Sequence, residues 1–221
     1  MPNIALTVLL VATNLLLSFA SAQVAALTQA KQFGLLFLIH LSPRMTLILG
    51  IAALDLFAYF AHSLLHKSWI GWQFHRVHHS DNDVNVTTAF RQHPGETAWR
   101  MLWQILAVVV FGLSLEVVAV YLTLSALNAQ LEHANIKMNH SLDGWLRLIF
   151  VTPNMHKVHH SRQQIQTDTN YSNIFSIWDR IFGTYTQAVD FKRLRYGLDG
   201  FDNLEKQTVA ALLRLPFVHE A

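Results

Sequence analysis

Eight histidines of this chain stand in three short groups: His62 and His66 in H-S-L-L-H, His75, His78 and His79 in H-R-V-H-H, and His156, His159 and His160 in H-K-V-H-H. On a helix, residues four apart differ by about 40° around the axis and residues three apart by about 60°, so each group lies on one stripe. Neutral imidazole is the commonest biological metal ligand, and such stripes let several ring nitrogens converge to about 2.1 Å from an ion. Eight ligands exceed what one ion takes and are enough for two. The chain holds 13 histidines and no cysteine, which removes disulfides, thiolate zinc sites, iron-sulfur clusters and a cysteine nucleophile. What remains is a polyhistidine metal site whose metal the spacing does not choose.

The segments that must carry these groups are apolar. Hydrophobic residues make up 52% of the 221 residues against 14% charged, which points to a membrane bundle with a cap. The stretch from Ile4 to Leu27 is uncharged and long enough to cross a bilayer, and it lacks the basic start of a signal peptide. A second apolar run, Phe33 to Phe60, is interrupted by His40, Pro43 and Arg44, which leaves Met45 to Phe60 as the cleaner span behind a turn or interfacial helix. The third block, Thr97 to Leu131, would be about 50 Å long as one helix against a hydrocarbon core near 30 Å. Gly112, Leu113 and Ser114 offer a break that turns it into a hairpin and keeps both H-x-x-H-H groups on one side. Only Lys31 and Arg44 of the basic residues precede Lys67, which assigns the later polar segments to the cytoplasm.

The expectation is therefore an all-α integral membrane protein, with about four transmembrane helices in two hairpins and a cytoplasmic helical cap that carries a polyhistidine dimetal site. Residues 1–61 form the first hairpin, 62–96 the first cap segment, 97–131 the second hairpin, and 132–221 the second cap segment and C-terminal tail. A net charge of +2 gives no argument for nucleic acid as a partner.

Beyond the histidines, five segments recur in a known order: DLFAYFAHSLLH (55–66), NVTTAFRQHPGE (85–96), EHANIK (132–137), TPNMHKVHHS (152–161) and TNYSNIFSIWDRIFGTY (169–185). With the three groups, they resemble the bacterial branch of the fatty acid hydroxylase and sterol desaturase superfamily of integral-membrane di-iron oxygenases, over roughly residues 45–200. The resemblance implies two iron ions held by histidines, dioxygen as cosubstrate, and hydroxylation or desaturation of a fatty acyl, sterol-like or related lipid. It makes the eight grouped histidines ligands and adds His133 of EHANIK as a ninth. Imidazoles suit such chemistry because they leave positions open for dioxygen while adding little charge. The sequence shows no G-x-G-x-x-G fingerprint and no fused haem domain, so electrons are expected from an external donor of the ferredoxin or cytochrome b5 type with its reductase. In one departure, Lys67 follows His66 where relatives that cleave ether lipids look as though they use a glutamate, which puts ether-lipid cleavage in doubt.

Several residues are candidates for support behind the ligands. Asp55 lies in the second apolar run, seven residues before His62 and on nearly the same stripe. An acid at that depth invites a partner, either an imidazole N–H or a polar group of the cap; the bland reading is a helix-end acid wetted by the interface. Asp168, Asn170 and Asn173 follow the last group as possible acceptors, and His93 in R-Q-H-P is either a hydrogen-bonded structural residue or a support of the ligands. His40, His140 and His219 are expected outside the site. Trp69, Trp72, Trp99 and Trp103 read as an aromatic belt, and residues 209–217 as a membrane anchor or a packing helix. Two rival functions remain. A zinc-dependent membrane hydrolase would mix carboxylates with about three histidines, and a non-catalytic metal transporter or binding protein would carry its ligands within the spans.

Overall fold

Small polar residues, prolines and one glycine set the ends of the long helices. The computed structural model describes residues 2–187 and 191–218, so His219 lies outside the described residues. Helix α1 (Pro2–Ala30) is followed by a short 3-10 turn and by α2 (Pro43–Lys67), whose start is capped by Ser42 with Pro43 in the first turn. Ser68 ends α2 and caps α3 (Trp69–His79), its hydroxyl accepting from the Gly71 N–H at 3.0 Å. Helix α4 (Pro94–Phe111) stops at Gly112, which takes the left-handed conformation (φ 70°), and Ser114 caps α5 (Leu115–His133). The third apolar block thus breaks at the Gly112-Leu113-Ser114 sequence. Five shorter helices follow: α6 (His140–Leu146), α7 (Pro153–His159), α8 (Gln164–Thr167), α9 (Ile177–Ile181) and α10 (Val209–Arg214). Among the described residues there is no β-strand, only isolated bridges such as Phe150 with Phe175.

The long helices form two antiparallel hairpins whose turns meet at one end. A side chain on Gly34 would run into the backbone of Gly112, and both residues have positive φ, so glycine is required twice at this crossing. The Gln29 side chain donates to the Gly112 carbonyl at 2.8 Å beside it. At the opposite end lie the start of α1, the end of α2, the start of α4, the end of α5 and the shorter helices α3, α7 and α10, while the segment that leads into α9 runs back along α2 as far as Asp55. There Arg91 is fully buried, donating to the Val77 carbonyl, the Ser80 hydroxyl, and the side-chain oxygens of Asn3 and Gln207. One guanidinium therefore ties α1 and α3 to the segment before α10.

Within the bundle, α4 packs on both α1 and α2, and α5 packs on the other side of α2. Leu54, Val108, Leu113, Val117 and Tyr121 form its main apolar core. A second core gathers Leu6, Val77, Phe201, Leu212 and Leu215, so residues 209–217 act as a packing helix against α1 and α3. Two helical stretches, Pro2–Leu38 and Pro43–Lys67, are long and apolar enough to cross a membrane. Outward-facing Leu15, Leu16 and Phe19 are each more than 70% exposed, the pattern of a helix whose solvent is hydrocarbon. The divisions expected at 61/62, 96/97 and 131/132 all fall inside helices, because α2, α4 and α5 run on without interruption into the end that carries the histidines.

Candidate metal centre

The histidine groups sit on four helices that converge at that end. His62 and His66 occupy the last turns of α2, His75, His78 and His79 lie on α3, His133 ends α5, and His156 and His159 lie on α7 with His160 as its C-cap. All nine are buried or nearly so. They sort into two clusters: His62, His66, His75, His79 and His159 in the first, and His78, His133, His156 and His160 in the second, with the candidate ligand atoms of each lying within 4.8 Å of one another.

This partition cuts across the two H-x-x-H-H groups, while His62 and His66 stay together. H-R-V-H-H sends His75 and His79 to the first cluster and His78 to the second; H-K-V-H-H sends His159 to the first and His156 and His160 to the second. Residues i and i+4 share a direction, whereas adjacent positions diverge by about 100°, so a helix wedged between two clusters feeds both.

The outer nitrogens fix which atoms face inward. His62 Nδ1 donates to the Tyr171 carbonyl at 2.8 Å, His159 Nδ1 to the Thr169 carbonyl at 2.7 Å, and His133 Nδ1 to the Ala129 carbonyl at 2.7 Å. His66 Nδ1 meets the Asp168 carboxylate at 3.2 Å, and His75 Nδ1 lies 2.9 Å from Glu96 Oε1, off the line of an ideal hydrogen bond. With Nδ1 protonated toward these acceptors, each Nε2 presents a bare lone pair to the cluster. Yet His62 and His75 hold their Nε2 atoms 3.0 Å apart, and the Nε2 atoms of His133, His156 and His160 form a triangle of 3.0 to 3.1 Å. His66 Nε2 and His159 Nε2 are buried with no hydrogen-bond partner among the described residues. Converging lone pairs and orphaned buried nitrogens cost about 1–3 kcal/mol each if nothing bridges them.

A metal ion removes the conflict. Nitrogens about 2.1 Å from one ion at right angles stand about 3.0 Å apart, which matches the observed separations. Burial, reinforced by neighbouring charge, holds His75, His78, His79, His156, His159 and His160 well below the ordinary histidine range, so they are in the neutral form that binds metal. The donor set therefore fits two ions held mainly by imidazole.

The candidates for support divide between those beside a cluster and those that fasten the fold. Asp168 does stand behind a cluster histidine, His66. Asp55 meets no imidazole: its carboxylate accepts from the Ile174 and Phe175 N–H groups at 3.0 and 2.9 Å and from the Trp178 indole at 2.9 Å, so it fastens the cap segment to α2. Asn173 adds bonds to Tyr121 and Ser125 beside it, and Asn170, at φ 55°, holds the Met155 and Thr186 carbonyls. His93 caps α4, its Nδ1 accepting from the Gly95 N–H while Nε2 faces the Leu213 carbonyl, so its bonds are to backbone and not to either cluster. Trp72, expected in an aromatic belt, packs on the rings of His66 and His79. His140 is exposed on the first turn of α6.

Two acids that sequence reasoning passed over stand at the clusters. Glu96, fully buried, touches His75 and also pairs with Arg100 Nε at 2.9 Å. Glu132, also buried, lies 3.8 Å from His156 Nε2 and 3.9 Å from His133 Nδ1. Both lie inside the recurring segments, Glu96 ending HPGE and Glu132 opening EHANIK; an acid within one to three residues of a histidine at the edge of an apolar block was the only signal available.

Comparison with known proteins identifies relatives of the chain by sequence. The family model described as fatty acid hydroxylase matches residues 47–184. The chain is 33% identical over 152 residues to alkylglycerol monooxygenase of Xenopus tropicalis, covering 68% of this chain and 32% of that protein. To alkylglycerol monooxygenase of Homo sapiens it is 35% identical over 142 residues, covering 63% of this chain and 30% of that one. To ornithine lipid hydroxylase OlsE of Rhizobium tropici it is 32% identical over 138 residues, covering 62% and 41%. The chain thus spans about a third of the length of these curated relatives. No solved structure matches it significantly.

Proposed function

The chain belongs to the fatty acid hydroxylase family, and from that premise we propose that it is a membrane-bound, dioxygen-dependent oxidoreductase that hydroxylates or desaturates a lipid at a di-iron centre. The observation that carries the proposal is the pair of buried imidazole clusters at one end of an apolar helical bundle. His62, His66, His75, His79 and His159 would hold one iron, and His78, His133, His156 and His160 the other. When bound, the irons supply the activation of dioxygen. Hydroxylation sends one oxygen atom into a C–H bond and the other into water, consuming two electrons and two protons per turnover. Desaturation removes two hydrogens from the lipid and, with two electrons from the donor, reduces dioxygen to two waters.

The chain's own residues do the rest. Asp168, Glu96 and the carbonyls of Thr169, Tyr171 and Ala129 hold the rings in the tautomer that turns Nε2 inward. The packed cap, closed over the clusters by Trp72 and Tyr171, keeps bulk water from them. The four long helices are read as four membrane spans in two hairpins, with both turns on the far side and the clusters on the cytoplasmic side, where most Lys and Arg lie. Lipid reaches the centre from within the bilayer. A ferredoxin- or cytochrome b5-type partner with its reductase supplies the electrons.

The test is metal analysis and Mössbauer spectroscopy of detergent-solubilised protein after anaerobic iron loading, paired with comparative lipidomics of cells with and without the protein. Two coupled irons, and a lipid shifted by one oxygen or two hydrogens, are expected. A single zinc with no shifted lipid would overturn the proposal.

A further inference from the structure

A cavity of about 360 Å3 lies inside the bundle, between α1, α2, α4 and α5. Its walls differ in character. On α2 it is lined by small apolar residues, Ala58 and Ala61; across from them stand Asn14 of α1 and Arg100 and Gln104 of α4. Ser18 and Leu122, both exposed, border it between α1 and α5, where it opens toward the apolar outside of the bundle. Its inner end reaches Ala129, the residue whose carbonyl holds His133.

Arg100 is the unusual group. An ionisable side chain at this depth is costly and marks a function by default. Its Nε is occupied by Glu96, its two terminal nitrogens have no hydrogen-bond partner among the described residues, and the residue lines the cavity with its side chain 29% exposed. The Glu96 oxygen that Arg100 holds is the one 2.9 Å from His75 Nδ1. Only two contacts through one shared atom therefore separate the guanidinium from the first histidine cluster. A planar fork of donors in a cavity otherwise walled largely by apolar side chains, among them Leu54, Ala58, Phe90 and Met101, is a site for an oxygen acceptor at the head of an alkyl chain.

We propose that Arg100 binds an acyl oxygen of the lipid substrate, a carboxylate or carbonyl, with the chain leaving between α1 and α5. The carbons nearest that group then lie closest to the clusters, so oxidation falls within the first few carbons of the acyl end rather than at the chain terminus. This rests on the lipid-oxidising reading above, but binding can be measured without metal or turnover, so the two can fail separately.

The test uses the full chain in detergent, without added iron, and three fluorescent probes of one chain length: cis-parinaric acid, its methyl ester and its alcohol. The unmodified protein is expected to bind the acid, the ester or both at least tenfold more tightly than the alcohol, which lacks the acyl oxygen. Preference for the acid alone identifies a carboxylate, and equal binding of acid and ester identifies a neutral carbonyl. Arg100→Gln should remove the preference while Arg100→Lys keeps part of it. Equal binding of all three probes by the unmodified protein overturns the proposal without any substitution, as does an undiminished preference in a helical, monodisperse Arg100→Gln protein. Product analysis by mass spectrometry adds an independent readout: oxygen or unsaturation at the chain terminus would also overturn it.

Discussion

The carboxylate of Glu96 stands 2.9 Å from His75 Nδ1, on the side of the ring opposite the cluster. A carboxylate packed behind an imidazole helps to set the orientation of the ring, and substitutions at such positions typically weaken metal affinity by about 10–100-fold. Glu96→Gln is therefore expected to lower the affinity of one iron by that range while the second is retained, as read by competition with a chelator. Unchanged affinity for both would remove Glu96 from the site.

The split of each sequence group between clusters predicts asymmetric losses. His75→Ala takes a ligand only from the five-membered cluster, and His78→Ala only from the four-membered one. Each variant should retain about one tightly bound iron per chain, and the double variant close to none. If either single change emptied both sites, the clusters would have to be one unit.

His140 supplies the matching control. It is exposed on α6 and belongs to neither cluster. His140→Ala should leave iron content, unfolding temperature and activity as they were.

Metal-free protein should be sensitive to mild acid. The buried imidazoles of His78, His79, His156 and His160 have lower proton affinity folded than the ordinary value of 6.5 that they regain on unfolding. The unfolded state then binds more protons, so stability is complete above about pH 6.5 and declines as pH falls below it. Thermal unfolding in detergent from pH 8 to pH 5 should follow that course. A flat profile through this window would mean the imidazoles are not buried without metal.

Asp55 provides a test of the cap's attachment. Its oxygens take three N–H groups from residues 174–178, and truncation leaves those donors buried and unsatisfied. Asp55→Ala should cost about 3 kcal/mol or more and Asp55→Asn about 1–3 kcal/mol, measured as a lower unfolding temperature. Since Asp55 touches no imidazole, iron retained by the folded Asp55→Asn protein should keep the spectrum of the unaltered one.

What could be read in advance was what depends on neighbours in sequence. Spacings of three and four announce a helical stripe of imidazoles wherever they occur, and Gly112 followed by Ser114 carries its own stop and start. The allocation of His78 and His79 to different clusters depends on where α5 and α7 arrive, which no spacing within H-R-V-H-H encodes. Asp55 illustrates the same limit: its depth in an apolar run marked it as special, but its partners lie about 120 residues downstream. Arg100 and Glu96 escaped notice because their meaning comes from a cavity shared by four helices in the one case and from a histidine on α3 in the other.

The clasp between Asp55 and residues 174–178 sets a scale for the whole machine. Along α2, Asp55 lies about 18 Å from Lys67 at the helix end, so the cap reaches well down the outside of the span. On the same rod, two turns farther along, begins the first pair of clustered imidazoles. Helix α2 is thus a ruler with the mooring of residues 174–178 at one mark and the first histidine cluster at the next, and the depth at which the proposed chemistry would occur is graduated in helical turns. Inserting one residue between Asp55 and His62 would shift that depth by about 1.5 Å and rotate the imidazoles by about 100°. The length of this interval is therefore as much a part of the centre as the histidines themselves.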